Sequence, residues 1–198
     1  MRLPKAVAKL VKWVDPESCR YALGGVRIGR AGGKCFAEAT DGRRLGLVEW
    51  EDKGPDVDAI LEGKELGKAL RQAGCKPPFH MDDSVNGVAK VNGAEVRTVE
   101  GRWPKTEELF AADRVGSQTA SFTAQQLRDL ARRTAVKIGE TTVLLSVQYL
   151  EDLADAMDAA DAGFATFKAS DERSQVLAEC ESVSGANLTA VLMPMAAD

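Results

Sequence analysis

Apolar residues recur at helical spacing in four stretches of the chain. The first is LPKAVAKLVKWV, residues 3–14, and the second is ILEGKELGKALRQAG, residues 60–74. A third helix is predicted to begin at Thr123, because Thr123 and Gln126 have the spacing of a capping box, and to end near Ile138. The fourth, VQYLEDLADAMDAAD, begins at Val147. Each stretch predicts a helix that packs one apolar face on a core.

Short stretches of alternating apolar and polar residues between these helices predict strands. The pair Asp41-Gly42 indicates a hairpin turn between two of them, because both residues tolerate positive φ. The predicted order is a helix and three strands, then a second helix and three strands, and after them a shorter repeat of the same order. This order predicts an α+β fold with antiparallel sheets covered on one side by helices. The predicted strands are ALGGVRIGR, KCFAEAT, RLGLVEW, PFHMD, GVAKV, EVRTVEG, TTVLLSV, FATFKA, QVLAECESV and LTAVLMPM.

Three of the predicted helices carry a basic face beside the apolar one. On a single helix, such a face is explained by solvation alone. Three of them in a chain of formal net charge −4 mean that positive charge is segregated onto helices, which favours a surface that follows phosphates without reading bases. The fourth helix instead has an acidic face, formed by Glu151, Asp152, Asp155 and Asp158. The basic residues are Lys5, Lys9 and Lys12; Lys64, Lys68 and Arg71; and Arg128, Arg132, Arg133 and Lys137.

Composition and length are those of a folded globular protein. The 198 residues suffice for one large domain or for two of roughly 100 residues each. The hydrophobic fraction of 44% and the charged fraction of 28% are ordinary, and no low-complexity linker interrupts them. No apolar stretch approaches the roughly 18 residues that span a bilayer, and the N-terminus lacks a signal-peptide core. We therefore expect a cytoplasmic protein without membrane contact.

Residues that carry catalytic or metal chemistry are sparse. The four cysteines contain no Cys-x-x-Cys pair, and His80 is the single histidine, so metal-ligand spacing is absent. Asp82 and Asp83 are consecutive, and on a strand their carboxylates would point to opposite faces. There is no glycine-rich phosphate loop. We expect no enzyme, no metal and no cofactor; an unrelated enzyme would have only His80 and Asp82 as a starting point. The cysteines, expected to be reduced and mostly buried, are Cys19, Cys35, Cys75 and Cys180.

Four segments resemble, in the same order, the β-subunit sliding clamps of bacterial DNA polymerase III. ATDGRRL at 39–45 is similar to the family signature Ala-Thr-Asp-Gly-His-Arg-Leu, with Arg43 in place of the histidine. RYALGGVRI at 20–28, VEGRWPKTEELF at 99–110 and VLMPM at 191–195 resemble the strand before the signature, a segment that closes a domain, and the family's ending. The resemblance covers most of 3–110 and 143–195. It implies a clamp domain at 1–112 like the family's middle domain and a shortened one at 113–198 like its last.

The resemblance implies a DNA clamp fold, with antiparallel sheets on the outside and helices lining a central channel. Its function would be that of a processivity factor that encircles double-stranded DNA through nonspecific contacts. Because the family's ring has six domains with two helices each, a chain with four helices implies a homotrimer. The short chain suggests a phage or mobile element. Arg20 and Tyr21 match a loop that touches DNA in the family and join the basic helix residues as expected DNA contacts.

The resemblance also implies a cleft between two domains that takes extended peptides from DNA polymerases, the clamp loader and repair proteins. A pocket lined by leucine, valine and methionine beside two arginines suits, on chemistry alone, an apolar peptide with a polar or acidic flank. The matching cleft residues are Leu23, Thr40, Gly42, Arg43, Arg44, Leu45, Val191, Met193, Pro194 and Met195.

Some positions depart from the family pattern. Ala111 stands where the family pocket has proline, and Ala196, Ala197 and Asp198 replace a basic and apolar end. Between the third helix and TTVLLSV there is no room for the usual three strands, and the chain is expected to start at a helix without a leading strand. An alternative function therefore remains: a clamp-fold adaptor or competitor that binds such peptides without encircling DNA.

Overall fold

The computed structural model describes residues 1–18, 22–53, 57–72, 76–82, 87–110 and 116–195. The chain forms two compact units. The first comprises Met1–Gly42 and Gly46–Pro104, and the second comprises Arg43–Leu45 and Lys105–Asp198. The main part of the second unit begins at Lys105; Thr106 is buried there, and Leu109 and Phe110 pack on core residues of that unit. The clamp domains at 1–112 and 113–198 stay a prediction.

Strands and two helices alternate along the first part of the chain. In order, the elements are β1 (Arg2–Leu3), α1 (Val7–Leu10) continued by a 3-10 helix (Val11–Trp13), β2 (Gly25–Ala31), β3 (Lys34–Thr40), β4 (Arg44–Trp50), β5 (Asp58–Glu62), α2 (Gly63–Leu70), β6 (Phe79–His80), β7 (Val88–Val91) and β8 (Ala94–Arg97). The strand order β5-β2-β3-β4 forms one antiparallel layer, while β1 pairs with β6 and β7 with β8.

Glycines let the helices of the first unit lie close to their neighbours. A Cβ atom on Gly67 of α2 would stand 2.9 Å from Val11 Cγ1, and one on Gly46 of β4 would stand 2.7 Å from Leu10 Cδ2. Such distances are shorter than packed carbon atoms allow. The absence of a side chain at these two positions therefore seats the first helical segment between α2 and the sheet.

The two predicted helices of the first unit are shorter than expected. Leu3 lies in β1 and pairs with Phe79, so the prediction that the chain lacks a leading strand is wrong. Pro4 explains the difference, because the residue before a proline is held in extended backbone. The second helix starts at Gly63 and not at Ile60, since Asp58–Glu62 form β5 against β2.

In the second unit, two helices again accompany an antiparallel sheet. Its elements are a 3-10 helix (Glu107–Phe110), β9 (Gln118–Phe122), α3 (Ala124–Ala131), β10 (Ala135–Ile138), β11 (Thr141–Leu144), α4 (Val147–Ala160), β12 (Ala165–Ala169), β13 (Val176–Cys180) and β14 (Asn187–Leu192). The strand order is β14-β13-β12-β9, and β10 pairs with β11. Helices α3 and α4 pack together. The predicted α+β class with antiparallel sheets is confirmed.

The capping box of α3 is confirmed, but the predicted end of that helix is wrong. Thr123 Oγ1 accepts from Gln126 N–H, and Gln126 Oε1 accepts from Thr123 N–H. The helix ends at Ala131, and residues 135–138 form strand β10. Thr134 has a φ of +58°, which stops the helix, and Val136 and Ile138 are then buried at the spacing of two that a strand requires.

Two further expectations concern membranes and metals. Within the described ranges, no helix is long and apolar enough to cross a membrane. Those same residues contain no group of three or more histidine, cysteine, aspartate or glutamate side chains placed to hold a metal ion.

Cys35 and Cys180 are buried thiols, and burial raises the pKa of Cys180 to about 12. Cys19, Cys75 and Asp83 lie outside the described residues.

Candidate functional site

The helices of the first unit turn their basic side chains outward. Val7, Leu10 and Trp13 are fully buried on the first helical segment, and so is Leu66 on α2. Because these residues fill the core-facing stripe, the lysines between them lie on the opposite side. Exposed are Lys5, Lys12, Lys64, Lys68 and Arg71, while Lys9 is half-buried.

The one carboxylate within α2 does not cancel this charge, because Arg97 holds it. Glu65 accepts from the Arg97 backbone N–H at 2.8 Å and from Arg97 Nε at 2.7 Å. These hydrogen bonds, the backbone one foremost, lower the pKa of Glu65. Glu62 is also occupied, since its side chain caps α2 by accepting from Glu65 N–H. Lys64 and Lys68 therefore stand on a helix whose acids are already bonded.

In the described part of the second unit, the helices do not present a matching basic face. Arg128 Nη2 lies 2.6 Å from Asp158 Oδ2 and 3.1 Å from Asp155 Oδ1, both on α4. These hydrogen bonds, with Asp158 the larger cause, raise the pKa of Arg128. Arg132 and Arg133 are exposed just after the end of α3. The prediction that Lys137 shares their helix face is wrong, because it lies on β10. Arg20 and Tyr21 lie outside the described residues.

Helix α4 carries a buried aspartate where the sequence predicted an exposed one. Asp152 was expected on the acidic outer face, but its residue is only 2% exposed. Its Oδ2 accepts from Arg44 Nη1 at 2.8 Å, and the Arg44 guanidinium lies 4.6 Å over the ring of Tyr149. Arg44 was expected on the surface of a peptide cleft, yet it is 6% exposed. Its charge thus faces α4 and not solvent.

An apolar cluster lies beside this ion pair in the second unit. Leu45, Leu177 and Val191 form its buried part, and the partly buried side chains of Leu109 and Phe110 pack against it. Gln175 Nε2 donates to the carbonyl oxygen of Leu109 at 2.9 Å and fixes that segment. The sequence had indicated only Leu45 and Val191 of this cluster. The other members lie on elements that are distant in sequence, and no local pattern predicts that these elements pack together.

The chain end that follows β14 is tied down by its backbone and exposes its side chains. Met193 N–H donates to the carbonyl oxygen of Arg43 at 2.9 Å, and Met195 N–H donates to that of Leu144 at 2.8 Å. The two methionines are 43% and 40% exposed, and Pro194 is half-buried. Flexible, polarisable methionine side chains of this kind suit the binding of apolar groups. Ala111, Ala196, Ala197 and Asp198 lie outside the described residues.

The remaining predicted cleft residues belong to the first unit. Leu23 and Thr40 are buried, and Gly42 is exposed with a φ of +86°. Thr40 Oγ1 accepts from Gly42 N–H at 3.0 Å, which holds the turn. In the Asp41-Gly42 pair, only the glycine takes positive φ.

Comparison with known proteins adds to this geometry. No protein-family model and no curated protein sequence matches the chain. Solved structures do match. A Helicobacter pylori β clamp in complex with diflunisal has a TM-score of 0.77 at 12% identity, over 99% of this chain and 65% of that one. A DNA polymerase sliding clamp from Pseudomonas aeruginosa has a TM-score of 0.76 at 17% identity, over 100% and 66%. The fold is that of the bacterial sliding clamps.

A further clamp structure also matches the chain. A Helicobacter pylori β clamp bound to a DNA ligase peptide has a TM-score of 0.75 at 12% identity and is covered over 64% of its length. The chain thus spans just under two thirds of the length of these clamps. The predicted clamp fold is confirmed by this likeness, which at such low identity concerns the fold alone.

Proposed function

We propose that this protein is a sliding clamp, a processivity factor that encircles duplex DNA and tethers a polymerase and other partners. The observation that carries this proposal is the pair of basic helical segments in the first unit of a clamp fold. Lys64 and Lys68 are exposed on α2, Lys12 is exposed on the 3-10 helix that packs against it, and Lys5 is exposed in the turn before α1. Side chains of this kind bind phosphates without reading sequence.

The second unit contributes less to the proposed DNA surface. Of the basic residues predicted to contact DNA there, Arg132, Arg133 and Lys137 are exposed. Arg128 is instead paired with Asp155 and Asp158. Phosphate contacts are therefore assigned mainly to the first unit. The family resemblance also implies DNA contact for Arg20 and Tyr21, which lie outside the described residues.

Salt-dependent DNA association tests this part of the proposal. Removing one lysine that neutralises a phosphate reduces the slope of log K against log salt by about 0.9, so the double variant Lys64→Ala/Lys68→Ala should reduce it by roughly 1.8. The matched control is Lys34→Ala/Lys90→Ala, which removes the same charge from exposed lysines on β3 and β7. Equal slopes for the two variants would contradict a role for α2 in DNA binding.

Encirclement requires a closed assembly. We propose three chains, because six clamp units at two per chain complete the ring that the fold family implies. Three chains of 21.2 kDa amount to about 64 kDa. Light scattering over a concentration series measures this mass directly. A monomer at all concentrations would contradict the ring and leave the peptide site to be tested by itself.

The apolar cluster is the proposed site for partner peptides from a polymerase, a clamp loader or a ligase. Leu45, Leu177 and Val191 supply a buried apolar floor, and Met193 and Met195 supply exposed side chains on the same unit. An extended peptide with apolar anchors would bury them there. The variant Met193→Ala/Met195→Ala should weaken binding of the DNA ligase peptide, measured by fluorescence anisotropy, and unchanged affinity would contradict this assignment.

A second candidate function is an adaptor or competitor that binds such peptides without encircling DNA. Helix α4 favours this candidate, because Asp155 and Asp158 outnumber the Arg128 that they bind and Glu151 is exposed, so this side of the helix would repel a DNA backbone brought close to it. An adaptor would bind the ligase peptide and show DNA association with little dependence on salt. A clamp would show both peptide binding and a steep salt slope.

A further inference from the structure

Arg43–Leu45 belong to the second unit, although the residues on either side of them in sequence belong to the first. This three-residue segment brings Leu45 into the apolar cluster with Leu177 and Val191. Arg44 and Leu45 lie on β4, whose backbone is hydrogen-bonded within the sheet, and Met193 N–H donates to the Arg43 carbonyl oxygen. The Arg44 side chain adds a further anchor, on α4, to what the backbone already holds.

The Arg44 side chain is anchored on α4. The side chains of Arg44 and Asp152 are 6% and 3% exposed, and Arg44 Nη1 lies 2.8 Å from Asp152 Oδ2. The guanidinium carbon Cζ also lies 4.6 Å from the centre of the Tyr149 ring, so a cation–π contact holds the charge as well. Separating the buried Arg44 guanidinium from the Asp152 carboxylate would strongly destabilise the fold. The ion pair therefore holds the Arg44 side chain on α4.

Anchoring Arg44 also fixes the direction of Leu45. Both residues begin strand β4, and successive side chains of a strand point to opposite faces. When Arg44 reaches α4, Leu45 must point the other way, towards Leu177 and Val191. The ion pair on one face of β4 thus adds to the sheet in holding Leu45 on the other face.

We propose that Arg44, Asp152 and Tyr149 are positioning residues for the peptide site: they hold Leu45 in the apolar cluster and do not themselves contact the peptide. This inference rests on the proposed peptide-binding function. It also assigns a specificity. Because the Arg44 charge is already neutralised by Asp152, this arginine does not select an acidic flank, and the cluster selects its ligand by apolar anchors.

The experiment uses the full chain and the DNA ligase peptide that the Helicobacter pylori clamp binds. Affinity is measured for the wild type, Asp152→Asn, Arg44→Met and the double variant Arg44→Met/Asp152→Leu. The control is Glu151→Gln, which removes the same charge from the exposed neighbour of Asp152. Methyl NMR cross-peaks between Leu45 and Val191 are recorded for each variant without peptide.

The two single variants should each bind the peptide about tenfold more weakly, a change of about 1.4 kcal/mol, and their cross-peaks between Leu45 and Val191 should disappear. The control should match the wild type. The double variant should recover affinity to within about threefold, because apolar residues can replace a buried ion pair without loss of order.

Different results overturn different claims. If Arg44 contacts the peptide directly, Arg44→Met and the double variant will bind equally weakly while Asp152→Asn keeps its Leu45 cross-peaks, and the positioning role falls. A wild-type chain that binds no peptide overturns the proposed function instead. In that case the Leu45 cross-peaks in the single variants still decide whether the ion pair positions this side chain.

Discussion

The helix pairs of the two units bury the same kind of face and expose opposite charges. On the first segment and α2, the stripe of Leu10, Trp13 and Leu66 is buried while lysines lie outside. On α4, Leu150 and Leu153 are buried in the same way, but the exposed side carries acids. The shared fold constrains only the buried stripe. The outer faces are consequently free to differ, and we assign DNA contact mainly to the first unit.

The largest expected effect concerns the buried charge of the second unit, which has no counterpart in the helix pair of the first. Arg44→Met leaves the Asp152 carboxylate buried without its guanidinium, and breaking such a pair costs about 3–5 kcal/mol. Urea unfolding measures the decrease in stability. Arg132→Met, at an exposed arginine of the same unit, should change the free energy of unfolding by about 0.5 kcal/mol or less.

Close packing in the first unit should give the next effect. Gly46→Val places side-chain atoms where Leu10 and the Trp13 ring already lie, and overpacking of this kind costs about 1–3 kcal/mol. Thermal unfolding of the variant measures it. Gly163→Val, at an exposed site with no atom within 4 Å of its Cβ position and no positive φ, controls for the change in residue type.

The acidic pair on α4 offers a smaller effect that sharpens the comparison of charges. Asp155→Asn/Asp158→Asn should release Arg128 and strengthen DNA association, because it removes two negative charges and frees one positive charge. Stability should fall by no more than about 1 kcal/mol, since the pairs are partly exposed. DNA affinity equal to that of the wild type would place α4 away from any DNA surface.

The smallest effect concerns pH. The pKa of Glu65 is lowered in the folded chain by its hydrogen bonds to Arg97, so its contribution is present above the ordinary value of 4.5. That contribution disappears as pH falls through the lowered pKa. Glu65→Gln should therefore flatten the acid limb of the stability curve, measured by unfolding between neutral pH and the acid transition. An unchanged acid limb would mean that Arg97 does not favour the ionised form.

Local patterns predicted much of this fold. The capping box at Thr123, the start of α4 at Val147, and strands β3 and β4 follow from spacing and turn chemistry, because each depends on residues close in sequence. The end of α3 and the start of α2 could not be found in this way. A strand and a helix can both place an apolar residue at such positions, and the neighbouring strand decides between them.

The proposed peptide site was also predicted only in part. Leu45, Val191 and the methionines after β14 were indicated by the sequence, since short motifs carry them. Leu109, Phe110, Leu177 and the partner of Arg44 were not, because they come from distant elements.

The sequence by itself determined which faces of the helices are apolar and where basic residues concentrate, because both properties are periodic along the chain. Tertiary structure alone decided what became of individual charges. Arg44 and Asp152 are 108 residues apart and look like surface residues in their local context, yet they meet inside the second unit. A charge can be buried only where a partner of opposite charge is hydrogen-bonded to it, and only the folded chain brings residues so distant in sequence together.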